Sequence, residues 1–431
     1  MMDGILALGL LLTTASQFRL PGIPVGPGEL GLVVWIAGIV FKTPMFGASS
    51  RSRAVSVLVA FWVAFALALS VGMITALATA EAFEPDLMLH DVVAYALIAV
   101  VSCLCAVNPS RLRRVGWFLV ISGAASLSLQ YANGIGLIRI PGIDPWFWDR
   151  FRGWSDNPNQ LSILCVIVVL VALHLADTAT SRSTRLAAIL FMIPPLVVGR
   201  MSQSDTFMLA LTAALPVWFA VKLIVWQRGE QLEFSLRASI ARLALIAAPV
   251  LLLCLAPLAL SKVEDARALL IGFAKHNGAE AADEANLRMT LWRQAIDRGL
   301  ESGMLGLGPG PHLQIPPSIV AGRVSTGAEP VNIGHPIQNG TANFEAHNTI
   351  LDLFTQGGLL AVVSFVWLLL RATARAFRAR SAGLVALIAG AAMFMMTGNI
   401  VRQPILWFAI VLCLTAPVSR FEPRPRARST R

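Results

Sequence analysis

Apolar runs recur along the whole chain, separated by short polar hinges, and many have the roughly 17–25 residue length that a membrane crossing needs. Twelve segments are predicted, at about 4–18, 29–41, 54–79, 92–108, 115–133, 159–177, 186–199, 204–226, 238–260, 347–370, 382–398 and 404–418. The first two and the seventh are short for a hydrocarbon core about 30 Å thick, and are expected to be poorly tilted or partly interfacial. Met1-Met2-Asp3 lacks the basic start and small-residue cleavage site of a signal peptide, so 4–18 reads as a first span. Between the ninth and tenth segments lies a long connection, 261–346. Within it, 279–301 has helical spacing, with Leu287, Leu291, Trp292, Ala295 and Ile296 on one stripe. No repeat of fixed period is visible. The predicted fold is an all-α polytopic membrane protein of about 12 transmembrane helices. Residues 1–431 would form a single integral membrane domain, with a partly helical loop before the tenth span.

Composition sharpens this. Of 431 residues, 56% are hydrophobic and 13% charged, against about 25% charged in an ordinary soluble domain. That excludes a disordered chain and argues against a soluble enzyme. The hinges also alternate in charge. One set, which includes Lys42, Arg53, Arg111, Arg182, Lys222, Arg371 and Arg420, holds 21 basic and 5 acidic residues; the other holds 13 basic and 19 acidic. The positive-inside rule therefore places both termini in the cytoplasm and 261–346 outside, which in a bacterium is the periplasmic face of the inner membrane. The net charge of +10 is explained without a nucleic-acid partner. The basic tail 419–431 suits anionic lipid. Cys103, Cys105, Cys165, Cys254 and Cys413 lie in apolar stretches with neither disulfide nor zinc spacing, and read as small core side chains.

Candidate chemistry sits where apolar burial cannot explain a polar group, and the outward hinges supply four such places. Residues 139–160 interleave Trp146, Phe147, Trp148, Phe151 and Trp154 with Arg139, Arg150 and Arg152. This is either an interfacial aromatic belt or a platform for sugar and phosphate. Residues 199–206 set Arg200 and Asp205 at the edge of two spans, either as a site or as a pair closing a turn. The loop stripe carries Arg288 one turn before Trp292, followed by the glycine run 303–310, whose amides could face an anion. His347 stands where the long loop meets the tenth segment. A helix N-terminus there disfavours an imidazolium and leaves a group able to accept a proton, while Asn348 and Asp352 share a face and could hold the opening turn. A helix cap is the plain alternative.

The run His347-Asn348, nine residues, Gly358, two residues, Ala361 resembles the motif of the O-antigen ligase and polymerase superfamily, with Ala361 in place of the final glycine. Arg152-Gly153 with Asn157-Pro158-Asn159, and Arg288, Trp292 and Gly306-Leu307-Gly308-Pro309-Gly310, are similar to further patterns of that family. The motif resemblance spans 139–361. Relatives often carry Ser-Arg near the eighth span; here Ser204 is followed by Asp205, and Arg200 is the nearest arginine.

The resemblance implies a GT-C-like inverting glycosyltransferase acting at the periplasmic face without a metal or other cofactor. Its donor would be an undecaprenyl-diphosphate-linked glycan. Its acceptor would be lipid A core (ligase) or another lipid-linked glycan (polymerase of O-antigen or exopolysaccharide). His347, Arg288 and Arg200 would be catalytic. Arg152, Trp154, Asn348, Asp205 and Trp292 would bind substrate. Two rivals remain: a metal-dependent transferase using Glu81, Glu84, Asp86 and Asp91, although the chain has no Asp-x-Asp motif, and a lipid-linked oligosaccharide flippase or other transporter. The second expects ionisable groups deep in the spans, where the sequence places few.

Overall fold

The computed structural model describes residues 2–19, 25–42, 53–79, 85–147, 149–227, 279–314 and 343–417. Eleven of the twelve predicted segments fall among them as helices; the ninth, 238–260, lies outside the described residues, as do Glu81, Glu84, Trp148, 261–278, 315–342 and the tail 419–431. In chain order the helices are α1 (Met2–Leu12), α2 (Pro27–Lys42), α3 (Arg53–Ala78), α4 (Pro85–Val107), α5 (Pro109–Gly134), α6 (Pro158–Asp177), α7 (Arg182–Leu190), α8 (Ile193–Met201) and α9 (Asp205–Gln227). They continue with α10 (Ala279–Glu301), α11 (Thr349–Arg378), α12 (Ala382–Met395) and α13 (Pro404–Leu414). Two antiparallel ladders, Trp146–Phe147 with Arg150–Phe151 and Leu313–Gln314 with Asn343–Phe344, complete the described elements. The protein is thus an all-α polytopic membrane protein. Seven helical stretches among the described residues are long and apolar enough to cross a membrane: α3, α4, α5, α6, α7–α8 together, α9 and α11. The helices α1, α2, α12 and α13 are apolar but shorter.

The local chemistry explains where these helices begin and break. Asn157 accepts the amide of Asn159 at 2.8 Å and Pro158 occupies the first turn of α6, where its missing N–H is not needed. The seventh segment is interrupted at Phe191-Met192, because Pro194 and Pro195 can open α8 but cannot continue α7. The tenth is also interrupted. Gly357 (φ −124°, ψ 15°) and Gly358 (φ 61°, ψ −158°) leave helical geometry and kink α11, which the sequence pattern reads as unbroken.

α6 is apolar along most of its length and is the central helix, buried over most of its surface. α12 packs on it through small residues: a side chain at Gly383 or Gly390 would collide with His174 or Leu170. Phe61, Trp62 and Phe65 of α3 pack, tilted or edge-on, against Tyr95, Phe365 and Trp407 from α4, α11 and α13, the Trp62 and Trp407 ring centres lying 4.3 Å apart. Val63, Leu67 and Ile74, one and then two turns apart on α3, face outward, as expected where lipid rather than water is the solvent. The hinges that the charge pattern places outside gather at one end of this bundle, and the basic hinges gather at the other.

Candidate active site

His347 lies at the turn that opens α11, in a left-handed backbone conformation (φ 51°) that a residue with a side chain adopts only under local constraint. The constraint is visible on both sides. Asn348, fully buried, accepts the amides of Ile350 and Leu351 at 3.1 and 3.2 Å and caps the helix. Asp352, one turn on, accepts the amide of Ala346 at 2.7 Å. Together they clamp the turn, the task that their spacing suggests. The turn is also tied to the α12–α13 hinge. Asn348 donates its amide to the Met396 carbonyl, Thr349 donates to the Gly398 carbonyl at 2.6 Å, and Ile400 donates back to the Thr349 hydroxyl. Beside these contacts, both polar atoms of the Asn399 side chain are buried without a hydrogen-bond partner among the described residues.

A charged bridge crosses the same end. Arg402, between α12 and α13, pairs with Asp91 of α4 at 2.5 Å and with Glu345, two residues before His347. Asp91 is 1% exposed and also meets His90 at 3.4 Å. One guanidinium thus anchors the His347 turn to α4. Neighbouring Tyr95 donates to Gln356 at 2.9 Å, which ties α4 to the kink of α11. Arg402 and Asn399 were not among the sequence-predicted site residues. The signal available was a lone cation with two amides, Asn399 and Gln403, between two apolar segments, where a charge next to the bilayer needs a reason.

The loop helix α10 docks beside this turn. Leu287, Leu291, Ala295 and Ile296 form the predicted stripe and are buried with Leu313, Ala346 and Leu351, so the cluster takes in residues on either side of His347. Trp292 packs partly buried against it, its indole N–H buried without a partner among the described residues, and Arg288 stands half-buried one turn earlier.

The glycine run has a different use from the anion cradle expected of it. The amides of Leu307 and Gly308 donate to the carbonyls of Thr355 and Gln356 at 2.7 and 2.8 Å, and the amide of Gly306 donates to Ser302. The loop therefore satisfies the carbonyls freed by the α11 kink. A side chain at Gly306 would strike the Gln356 carbonyl, and one at Gly358 would strike that of Met304.

Residues 139–160 and 199–206 pack on each other at this same end. Arg150 donates to the Ser202 carbonyl and to Asn159, which also accepts from Ser204. Thr206 donates to Thr397, next to the carbonyl that holds Asn348, so this region joins the His347 turn through the α12–α13 hinge. An open groove of about 640 Å³ runs here, lined by Trp146, Asp149, Arg200, Gln203, Ser204 and Asp205. Arg200 and Asp205 are both exposed and form no ion pair with each other, so the turn-closing pair is not seen. Arg152 is turned away, paired with Asp144 at 3.0 Å and lying over the Phe147 ring. Trp154 is buried, edge-on to Phe18. The structure therefore gathers His347, Asn348, Trp292 and Arg288 around one turn and sets Arg200 and Asp205 in a groove at the same end, tied to that turn through the α12–α13 hinge. Arg152 and Trp154 serve packing beside it.

A comparison with curated proteins finds no match. The family model of the O-antigen ligases matches residues 186–366, a span that holds Arg200, Arg288, the glycine run and the His347 motif. The match and the clamped histidine turn coincide on the same residues, so over 186–366 the chain carries a stretch similar to the O-antigen ligases.

Proposed function

We propose that this membrane glycosyltransferase moves a glycan from an undecaprenyl-diphosphate carrier to a sugar hydroxyl at the periplasmic face of the bacterial inner membrane. The observation that carries the reading is the His347 turn: a strained, doubly clamped histidine at the same end of an apolar bundle as an open polar groove. In this reading His347 accepts or orients the acceptor hydroxyl proton. The hydroxyl oxygen attacks the anomeric carbon, the bond to the carrier phosphate breaks with inversion, and the lipid diphosphate departs with the negative charge. Arg288 and Arg200 stabilise that charge as it develops, so the step needs no bound cation. Trp292 and Asp205 shape the sugar side, and Asn348 holds the turn that carries His347. Asp149 and Asp205 give the groove acceptors for sugar hydroxyls.

The test uses the purified full-length protein with an undecaprenyl-diphosphate-linked glycan, with and without lipid A core, in the presence of a chelator. Glycan on core would identify a ligase, and longer lipid-linked chains a polymerase. Transfer that requires added metal would overturn the metal-free step. Absence of transfer under every condition, with lipid-linked glycan crossing vesicles instead, would replace the enzyme by a transporter.

A further inference from the structure

The end of the bundle opposite His347 carries a hollow of about 150 Å³ between α3, α11 and α13, at the start of α5. A water takes about 30 Å³ of liquid, so a phosphate group fits. Four arginines line it: Arg53 from α3 and Arg371, Arg375 and Arg378 from α11, with Val57 and Leu414 as apolar walls. Other residues of the basic set are treated differently. Arg111 pairs with Asp3 at 2.6 Å, Arg114 meets the same carboxylate, Lys222 pairs with Asp177, and Arg113 donates to the Thr178 carbonyl. None of the four lining arginines makes an ion pair among the described residues, and the Nε of Arg375 is buried without a hydrogen-bond partner. Arg371 lies over the Trp367 ring, 5.9 Å from its centre.

Orientation in the membrane explains why arginines are on this end, but it asks only that they sit in the hinges. It does not ask four like charges to converge on one cavity, where each raises the energy of the others. An anion removes that repulsion, and a guanidinium fork matches phosphate oxygens in pairs. We propose that this hollow is a binding site for a phosphate-ester anion, the head-group phosphate of an acidic membrane lipid, with Arg371 and Arg375 as its principal donors. Val57 and Leu414 would meet the glycerol and the first acyl carbons, which a free phosphate ion does not offer. The site is separate from the transfer chemistry at the other end, and the inference stands whether or not that chemistry is as described.

The experiment measures lipid retention by native mass spectrometry, and the thermal midpoint, on the delipidated full-length protein. Phosphatidylglycerol or cardiolipin is the probe; phosphatidylcholine with the same chains and inorganic phosphate are the comparisons. The acidic lipid is expected to bind and raise the midpoint while the choline lipid does not. The double variant Arg371→Gln, Arg375→Gln is expected to weaken binding about 30-fold, from roughly one surface-lipid contact energy per arginine removed. Phenylglyoxal modification of Arg375 in the unaltered protein, read by peptide mass, is expected to slow when acidic lipid is present, which needs no variant to fold. A full shift with inorganic phosphate alone would assign the hollow to a soluble phosphate and overturn the lipid assignment. Equal retention of neutral lipid, or no protection of Arg375, would overturn the site altogether.

Discussion

The two ends of the helical bundle use arginine in opposite ways. At the His347 end, Arg402 is shared between two carboxylates, Asp91 and Glu345, and its charge is spent on holding a turn in place. At the other end, Arg53, Arg371, Arg375 and Arg378 converge with no acid between them among the described residues. A neutralised arginine is a structural strut whose removal exposes buried charge. An un-neutralised cluster is a standing attraction for an anion, and its removal relieves repulsion. Residue type is the same in both places, so the number of carboxylates within reach decides which role follows.

Substitution at each end would break or sharpen this contrast. The largest effect is expected for His347→Ala, which should lower transfer about 10²–10⁴-fold, as loss of a single proton-transferring group does. Size-exclusion behaviour should stay unchanged, and retained activity would remove His347 from the chemistry. Next is Arg402→Ala. It leaves Asp91 and Glu345 uncompensated and should destabilise the fold by about 3–5 kcal/mol, read from thermal or denaturant unfolding in detergent. A double-mutant cycle of Arg402→Ala with Glu345→Gln should show a coupling above about 0.5 kcal/mol, and additive values would mean that the bridge does not act as a unit. Gly358→Ala comes third, at about 1–3 kcal/mol for a side chain forced into a left-handed kink against the Met304 carbonyl. Asn348→Ala should cost about 0.5–2 kcal/mol through the lost cap. The smallest effect belongs to the opposite end: Arg375→Gln in lipid-free detergent should change stability by no more than about 0.5 kcal/mol. A large loss there would show that Arg375 is a strut like Arg402 and erase the contrast.

Legibility in the sequence differed from residue to residue. The stripe on 279–301 is an α-helix over those same residues, because four apolar positions at helical spacing must face a common surface and found one in Leu313, Ala346 and Leu351. Asn348 and Asp352, four apart, do hold the opening turn. The glycine run was legible as close backbone contact but not in its use. Its amides answer the carbonyls of a kink about 50 residues further on, and nothing local to 303–310 announces that. The aromatic run 139–160 was ambiguous for a related reason: whether Trp154 meets sugar or Phe18 depends on what packs against it.

By itself, the sequence determined that this chain is a bundle of membrane helices, which end of it collects acidic hinges and which collects basic ones, and that a histidine stands at the mouth of the tenth segment. These follow from apolar length, charge bias and spacing, all of which act through neighbours along the chain. Only the tertiary structure decided that Arg402 reaches Asp91 and Glu345, that the glycine run plugs the α11 kink, and that four arginines from two helices face one hollow. Those contacts join residues roughly 50 to 300 positions apart, and their energies depend on how helices pack across the bundle, which no local pattern encodes.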